Sequence, residues 1–497
     1  MQQVVDFLEL DLAWGRAVGD PFRSLRSEAL VQGPDGRECR VRGFIATQDG
    51  SVVRFRLPVL EPGEHRYELW AELDGERRRA QGGFVGGLSH PDGILQADGR
   101  GFRWSRSGRP FFWNSTTCYL MPGLSDEARL SALDRLSELE INRIRVAFSP
   151  SRQLDGSRWA EPAVTPAADF TFLYSPFLCA RPEDVRNPGF DVTRFNLDHW
   201  RRFDRLLAEA GERGIIVQVI FFLDAQEEGN YPFDRARVGD DPDEDRCIES
   251  IVAWYGARWN VEWCVTNEWE LFRPDEWADL TGPKVRAADP LGHMISVHGH
   301  GRFPYRSSDW CTHALFQIWD SDGGRPWAER SLQEQAETGR MIPQVNEEFG
   351  YEDHYPKWGE DSLEAPGRSA DTRLLLAAEC VFAGCWATTG EWTGGGAGGW
   401  INGSGERDDL LMAHRRLKSV LEDTGDFSRL EPGVSPDGAC QVLRRDDLVL
   451  VLVPEGTPEP SLDLGDSWSP WWVSLTADAV GPTPNLPGHR VAVWRRR

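Results

Sequence analysis

The sequence contains little lysine, no long apolar segment and far less positive than negative charge. Only Lys284, Lys357 and Lys418 are lysines, and 79 acidic residues against 55 basic ones give a formal net charge of −24. This acidity argues against nucleic acid as a partner, because phosphates bind basic surfaces. No segment approaches the ~20 consecutive apolar residues that cross a bilayer, which argues against a membrane protein.

The nine cysteines form no C-x-x-C pair and show no zinc-type spacing. Cys118, Cys264, Cys380 and Cys385 lie in apolar segments, so we expect buried thiols rather than a disulfide framework. The amino-terminal segment has no basic stretch followed by an apolar one, so no signal peptide is visible. We therefore expect cytoplasmic residence, or secretion if a signal peptide has been trimmed away. The sequence does not indicate an oligomeric state.

Tryptophan is abundant, with 22 residues in the chain. Aromatic planes stack on the apolar C–H faces of sugar rings, so such an excess is expected in a carbohydrate-binding protein. Tryptophan also fills large hydrophobic cores. Composition alone leaves both explanations open.

The order of strand-like and helix-like segments predicts three domains. Residues 1–88 alternate extended segments with PDG and QDG turns, which predicts a small β-sandwich. Residues 89–427 alternate buried strands with helices, and the eight strands predict an α/β fold, the parallel (β/α)8 or TIM barrel. A doubly wound sheet is disfavoured because no glycine-rich phosphate turn follows the first strand. Residues 428–497 return to short strands, which predicts a second β-sandwich.

Two glutamates stand where predicted barrel strands meet their loops. The fourth strand ends in CVTNEWE, with Glu268, and the seventh in VNEEFGYE, with Glu348. Reacting groups of such barrels lie at the carboxyl ends of the strands. Retaining hydrolysis of a glycoside needs one carboxyl that protonates the leaving oxygen and a second that attacks the anomeric carbon. Glu347 adjoins Glu348, and we expect only one of them to face the site, because successive strand side chains alternate.

These motifs resemble those of clan A glycoside hydrolases, particularly the family 5 cellulase-like enzymes. The T-N-E segment at 266–268 is similar to the Asn-Glu signature of the clan, which implies Glu268 as acid/base and Asn267 as ligand of the sugar 2-hydroxyl. The E-F-G segment at 348–350 implies Glu348, rather than Glu347, as nucleophile. The I-N-R-I-R-V segment at 141–146 resembles strand two and implies that Arg145 braces the nucleophile.

More narrowly, the chain resembles cellulase-like and apiosidase-like barrels with an amino-terminal β-sandwich and a carboxy-terminal β domain. Thr116 stands where apiosidase-like members usually have Asp, so apiose specificity is not implied. The His-x-Tyr motif of strand six has no clear match, and Trp319 is the candidate substrate contact there. Tyr351, in the seventh-strand motif, is a further candidate. The resemblance also implies a sugar-stacking tryptophan at strand eight, either Trp386 or Trp392.

The fifth predicted strand ends in VHGHG, with His298 and His300. We expect one of these histidines to bind substrate or orient a carboxylate, with plain loop packing as the alternative. Glu270 and Glu352 are candidates for tuning pKa values or binding substrate. No metal or organic cofactor is implied, and the expected partner is a carbohydrate.

Two other classes of function remain open. One is a metal-dependent TIM-barrel hydrolase, because an H-x-H pair can bind zinc. The other is a carbohydrate-binding barrel without activity. The sequence determines neither the sugar and its linkage nor exo- versus endo-action.

Overall fold

The computed structural model describes every residue except 1–5, 150–168, 172–173, 185–186, 224–230, 319–322, 350–368, 390–400, 404–407, 461, 463, 465–466 and 497. Among the described residues, no helix is long and apolar enough to cross a bilayer. All nine cysteines are free thiols, and the four predicted to be buried are buried, which confirms that expectation.

The amino-terminal elements are seven strands and a short helix. They are β1 (Phe7–Ala13), α1 (Pro21–Ser24), β2 (Arg26–Gln32), β3 (Glu38–Val41), β4 (Phe44–Ile45), β5 (Val52–Pro58), β6 (Gly63–Leu73) and β7 (Glu76–Gly86). The strands form two antiparallel sheets, ordered β1-β5-β4 and β3-β2-β6-β7. Along β6, Leu69, Ala71 and Leu73 are buried while the residues between them are more exposed, the period-2 pattern predicted for this segment.

A small antiparallel sheet follows, made of β8 (Leu95–Asp98), β9 (Gly101–Trp104) and β10 (Pro110–Phe111). Strands and helices then alternate. The strands of this part are β11 (Ser115–Thr117), β12 (Arg143–Ser149), β13 (Phe177–Cys179), β14 (Phe190–Phe195), β15 (Ile216–Phe222), β16 (Val261–Cys264), β17 (Ile295–Ser296), β18 (His298–His300), β19 (Ala314–Gln317), β20 (Gln344–Glu348) and β21 (Trp386–Ala387).

The helices of this part separate the strands along the chain. They are α2 (Asp126–Glu138), α3 (Leu197–Glu212), α4 (Pro242–Tyr255), α5 (Asp275–Ala288), α6 (Arg325–Thr338), α7 (Ala370–Phe382) and α8 (Asp409–Glu422). In α2, the Ser125 side chain accepts a hydrogen bond from the Ala128 N–H and so caps the first turn. In α3, Trp200, Phe203 and Leu207 are buried at spacings of three and four residues, so one helix face packs inward.

The strands other than the β13–β14 hairpin pair in parallel, in chain order. One sheet runs β11-β12-β15-β16-β17 and another runs β18-β19-β20-β21. Val297 alone separates β17 from β18, and a parallel bridge joins Thr389, two residues after β21, to Thr116 in β11. The parallel pairs therefore return to the first strand. All residues of β12 and β15 are buried, as expected for parallel strands covered on both faces.

The carboxy-terminal strands form one sheet. They are β22 (Glu431–Val434), β23 (Gln441–Arg445), β24 (Leu448–Val453), β25 (Trp468–Ser474), β26 (Val480–Gly481) and β27 (Arg490–Arg496). Their order is β22-β23-β24-β27-β25-β26, with every pair antiparallel.

The described strands of 428–497 form a single sheet, whereas the predicted second β-sandwich would have two. In β24, Leu448, Leu450 and Leu452 join the main hydrophobic core, whereas the alternating valines belong to a separate small core. Helix α7 contacts β23 and β24. A helix layer therefore buries the face that a second sheet would cover in a sandwich.

Candidate active site

Glu348 ends β20 and is almost completely buried, with 5% of its surface exposed. The Arg145 Nη1 group donates a hydrogen bond to Glu348 Oε1 at 2.9 Å, and the Tyr119 hydroxyl donates to the same oxygen. His298 Nε2 lies 3.8 Å from that oxygen. Burial raises the pKa of Glu348, Arg145 opposes this rise, and the negative charge of Glu268 adds to it.

Strand β20 has a β-bulge at Glu347, the residue before Glu348. In the β19–β20 pair, Phe316 is opposite Asn346 but Gln317 is opposite Glu348, so Glu347 is the additional residue. Simple alternation of side chains therefore does not hold at these two residues. Both carboxylates approach Arg145.

Glu347 has different surroundings from Glu348. Its Oε1 lies 2.8 Å from Arg143 Nη1 and 3.1 Å from Arg145 Nε, and its Oε2 accepts a hydrogen bond from the Thr388 hydroxyl at 2.7 Å. The side chain is fully buried. Glu347 is therefore enclosed by protein groups, whereas Glu348 keeps a small exposed surface at the strand end.

Arg145 connects the ends of two strands. Besides Glu348, its guanidinium donates from Nη2 to the Asn267 side-chain oxygen at 2.9 Å. It also lies over the Tyr119 ring, 4.9 Å from the ring centroid. The arginine is fully buried, so these charge-assisted contacts fix its planar head group. The structure thus brings together three residues selected from the sequence, Arg145, Asn267 and Glu348.

Glu268 lies in the tight turn that follows β16. Its backbone is left-handed, with φ 50° and ψ 53°, and a 3-10 turn at Trp269–Leu271 follows directly. The Thr266 hydroxyl and the Asn267 N–H both donate to the Phe222 carbonyl, at 2.9 and 3.0 Å. These bonds attach the turn to the end of β15. A left-handed conformation is unusual outside glycine and points to a backbone determined by its surroundings.

His300 lies against Glu268, with Nε2 3.2 Å from Glu268 Oε1. The His300 backbone N–H donates to Glu270 Oε1 at 3.0 Å. Burial disfavours the imidazolium, but the carboxylates of Glu268, Glu270 and Glu348 outweigh this effect and raise the pKa of His300 to about 9. Burial also raises the pKa of Glu270 to about 7.

Gly299 permits this close packing. A Cβ atom at Gly299 would lie 1.7 Å from the Trp269 ring and 2.6 Å from Glu270 Oε1. Such distances are far below van der Waals contact, so a side chain here would displace the turn that carries Glu268. The glycine between the two histidines is therefore part of the site's geometry.

A buried polar layer connects to the site through Glu347. Arg143 forms a two-point ion pair with Glu262, at 2.8 and 2.9 Å, and lies 3.9 Å from the Trp113 ring centroid. Glu262 also accepts hydrogen bonds from Gln218, at 2.9 Å, and approaches His313 Nε2 at 3.0 Å. This layer was not selected from the sequence. The signal that could have found it is the R-I-R alternation of β12, which places Arg143 and Arg145 on one face.

Tyr119 was also missed, although it follows the first parallel strand by two residues, at the strand end where functional groups gather. Trp386, by contrast, was selected from the sequence as a sugar-stacking candidate, and in the structure it packs against other protein groups. Its indole N–H donates to the Arg100 carbonyl at 2.9 Å, and its ring packs against Phe102 and Phe112 near the β8–β10 sheet. It is 8% exposed and lies at the start of β21, so little of its ring is free to stack on a sugar. The other predicted contacts, Trp319, Tyr351 and Trp392, lie outside the described residues, as does Glu352.

The histidines predicted as an alternative zinc pair face different carboxylates, His298 towards Glu348 and His300 towards Glu268. Among the residues that the structure describes, no group of three or more histidine, cysteine or acidic side chains is arranged to hold a metal ion.

No family model and no curated protein sequence matches the chain. Among solved structures, the chain is similar to a candidate glycoside hydrolase from Bacteroides vulgatus ATCC 8482, with a TM-score of 0.76 and 18% identity over 99% of both chains. A family 5 glycoside hydrolase from the same organism has a TM-score of 0.60 and 17% identity, over 82% of this chain and 93% of its own. A third structure, named a glycoside hydrolase, has a TM-score of 0.58 and 16% identity, over 82% and 97%. The chain therefore shares its fold with solved glycoside hydrolase structures.

Proposed function

We propose that this protein is a retaining glycoside hydrolase whose catalytic domain, residues 89–427, is a (β/α)8 barrel. We assign residues 1–88 to an amino-terminal β-sandwich and 428–497 to a carboxy-terminal β domain. The parallel strand pairs that return to the first strand support the barrel, and the glycoside hydrolase neighbours support the reaction class. The observation that carries the proposal is the bridge from Glu348 through Arg145 to Asn267, the residue before Glu268.

In this proposal Glu348 is the nucleophile. Arg145 and Tyr119 both donate to its Oε1, so we assign the attack on the anomeric carbon to Oε2. Arg145 favours the ionised carboxylate against the effect of burial. Attack forms a covalent glycosyl ester and breaks the glycosidic bond.

Glu268 is the acid/base in the same proposal. It protonates the departing oxygen in the first step and removes a proton from the attacking water in the second. Asn267 already offers its side-chain oxygen to Arg145, so its amide N–H group is the one we assign to the sugar 2-hydroxyl. A hydrogen bond at that hydroxyl stabilises the oxocarbenium-like transition state.

A panel of aryl β-glycosides and α-L-arabinofuranosides tests the reaction class and identifies the sugar. On the best substrate, Glu348→Ala should lose at least ~10³-fold in kcat, and added azide should restore turnover with release of a glycosyl azide. Glu431→Ala is the matched control, because Glu431 is exposed on the carboxy-terminal sheet and should leave activity unchanged. Full activity in Glu348→Ala would overturn the assignment of the nucleophile.

The same panel separates the alternatives. A barrel that only binds carbohydrate would show no turnover of any aryl glycoside while still binding oligosaccharides. A metal-dependent hydrolase would lose activity on dialysis against a chelator and recover it with zinc. We expect turnover that chelators do not affect.

A further inference from the structure

We propose that His300 is a positioning residue that acts through Glu268, and that the two side chains together store the proton used on the leaving group. The inference rests on the proposed function and adds a second group to its acid/base. In this view the donor at neutral pH is a carboxyl–imidazole pair rather than a carboxyl alone.

The first support is geometric. His300 Nε2 and Glu268 Oε1 are 3.2 Å apart, within hydrogen-bond distance. The His300 backbone is attached by its N–H to Glu270 Oε1, and Gly299 allows the strand to pack against the Trp269 ring. The imidazole is thus presented to Glu268 by a strand and a turn that are joined to each other.

The second support is electrostatic, from the groups that face His300. Glu268 and Glu270 face it from the turn after β16, and Glu348 faces it from β20. Three acidic groups around one imidazole favour its protonated form, in spite of its partial burial. They raise its pKa to about 9, so the pair with Glu268 keeps one proton well above neutral pH.

His298 provides an internal contrast two residues earlier on the same strand. It is fully buried, and burial together with the positive charges of Arg145 and His300 lowers its pKa well below the ordinary histidine value. The two histidines of the H-x-H motif therefore differ in charge at neutral pH. Of these two histidines, His300 is the one placed to supply a proton to Glu268.

The proton balance of the reaction follows. At rest the pair carries one proton, written as the Glu268 carboxylate and the His300 imidazolium. As the glycosidic C–O bond breaks, His300 passes its Nε2 proton to Glu268, and Glu268 gives a proton to the leaving oxygen, so the alcohol departs and both groups are left deprotonated. When water attacks the glycosyl ester of Glu348, Glu268 takes the water proton and His300 receives it back. Glu348 leaves as a carboxylate.

The test compares pH profiles of kcat/KM for the wild type, His300→Gln and Glu270→Gln. The alkaline limb of the wild type should lie near pH 9, and His300→Gln should move it down by at least about one unit. Glu270→Gln keeps an acceptor for the His300 N–H but removes a negative charge, so it should move the limb in the same direction by less. Glu431→Ala should leave the limb in place.

A second test varies the leaving group of the substrate. If His300 had a purely structural role, His300→Gln would lower the activity equally for every leaving group. At pH 8, His300→Gln should lose at least about tenfold on phenyl glycosides, whose departure needs a proton, and less than about threefold on dinitrophenyl glycosides. An unchanged alkaline limb, or an equal loss on both substrates, would overturn the inference. If His300→Gln does not fold, the Glu270→Gln profile decides, and an unmoved limb there is the contrary result. A wild type that cleaves no glycoside overturns the proposed function instead.

Discussion

Glu347 and Glu348 are consecutive in the chain, and both contact Arg145, at 3.1 Å from its Nε and 2.9 Å from its Nη1. The bulge in β20 makes this possible, because the additional residue turns Glu347 towards the same guanidinium. The two carboxylates nevertheless have separate surroundings. Glu347 is enclosed by Arg143, Arg145 and Thr388, whereas Glu348 lies beside Tyr119 and His298 at the strand end.

The enclosed glutamate should matter first for stability. Glu347→Gln removes the negative charge that lies beside two buried arginines, Arg143 and Arg145. We therefore expect the free energy of unfolding to fall by about 3 kcal/mol. Denaturant unfolding measures this loss. Glu431→Gln, on the surface, should change stability by less than about 0.5 kcal/mol. A Glu347→Gln protein as stable as the wild type would contradict the role given to this ion pair.

Arg145 should not tolerate replacement by lysine. An ammonium group has no planar fork and cannot donate to Glu348 and Asn267 in the same geometry. Because misplacing a reacting carboxylate is costly, Arg145→Lys should lower kcat/KM by about 10²-fold. Steady-state kinetics checks this. Arg416→Lys, at an ion pair between α8 and the exposed Asp478, is the matched control and should leave kcat/KM unchanged. Wild-type kinetics in Arg145→Lys would rule out the positioning role.

Gly299 should be required for its lack of a side chain. In Gly299→Ala the new methyl group collides with the Trp269 ring, so we expect a loss of about 1–3 kcal/mol in stability and a marked loss of activity. Thermal unfolding and kcat/KM provide the two readouts. Gly433→Ala, in β22, has no atom within 4 Å of the added Cβ and should be neutral. Equal stability and equal kcat/KM in Gly299→Ala and Gly433→Ala would argue against the close packing of Gly299 on the Trp269 ring.

Glu270 should make stability depend on pH in a defined direction. Burial raises the pKa of Glu270 to about 7 in the folded state, above its ordinary value of 4.5. Because the pKa of Glu270 is higher in the folded state than in the unfolded state, Glu270 contributes to the free energy of unfolding. This contribution is fully present below pH 4.5 and is lost as the pH rises through 7. The stability of Glu270→Gln relative to the wild type should therefore increase between pH 4.5 and 8. A difference that stays constant across this range would contradict the raised pKa.

Several features were accessible from local pattern. The alternation along β6 and the continuous apolar character of β15 are properties of short segments, and each predicts its strand. The resemblance of short motifs also selected Arg145, Asn267 and Glu348, which the structure brings together. Asn267 and Glu348 stand at or just after strand ends, so the order of segments already indicated a common edge for these two residues.

Other features depend on contacts between distant segments. The carboxy-terminal strands predict a sandwich because one sheet and two sheets show the same alternation of side chains. The pairing of all six strands in one sheet, with α7 packed on β23 and β24, distinguishes the two arrangements. Trp386 flanks strand eight as a sugar-stacking residue would, but its hydrogen bond to the Arg100 carbonyl places it near the β8–β10 sheet.

The sequence by itself determined that two carboxylates, those of Glu268 and Glu348, stand at or shortly after the ends of strands in one repeating strand–helix pattern. Only the tertiary structure decided how Glu347 and Glu348 divide the space around Arg145, since a bulge depends on the pairing partner rather than on the strand's own residues. The same holds for His300, whose charge arises from acidic groups on two other segments of the chain. A pattern of residues specifies periodicity, whereas the pKa values and contacts of a site depend on distances that only the folded chain defines.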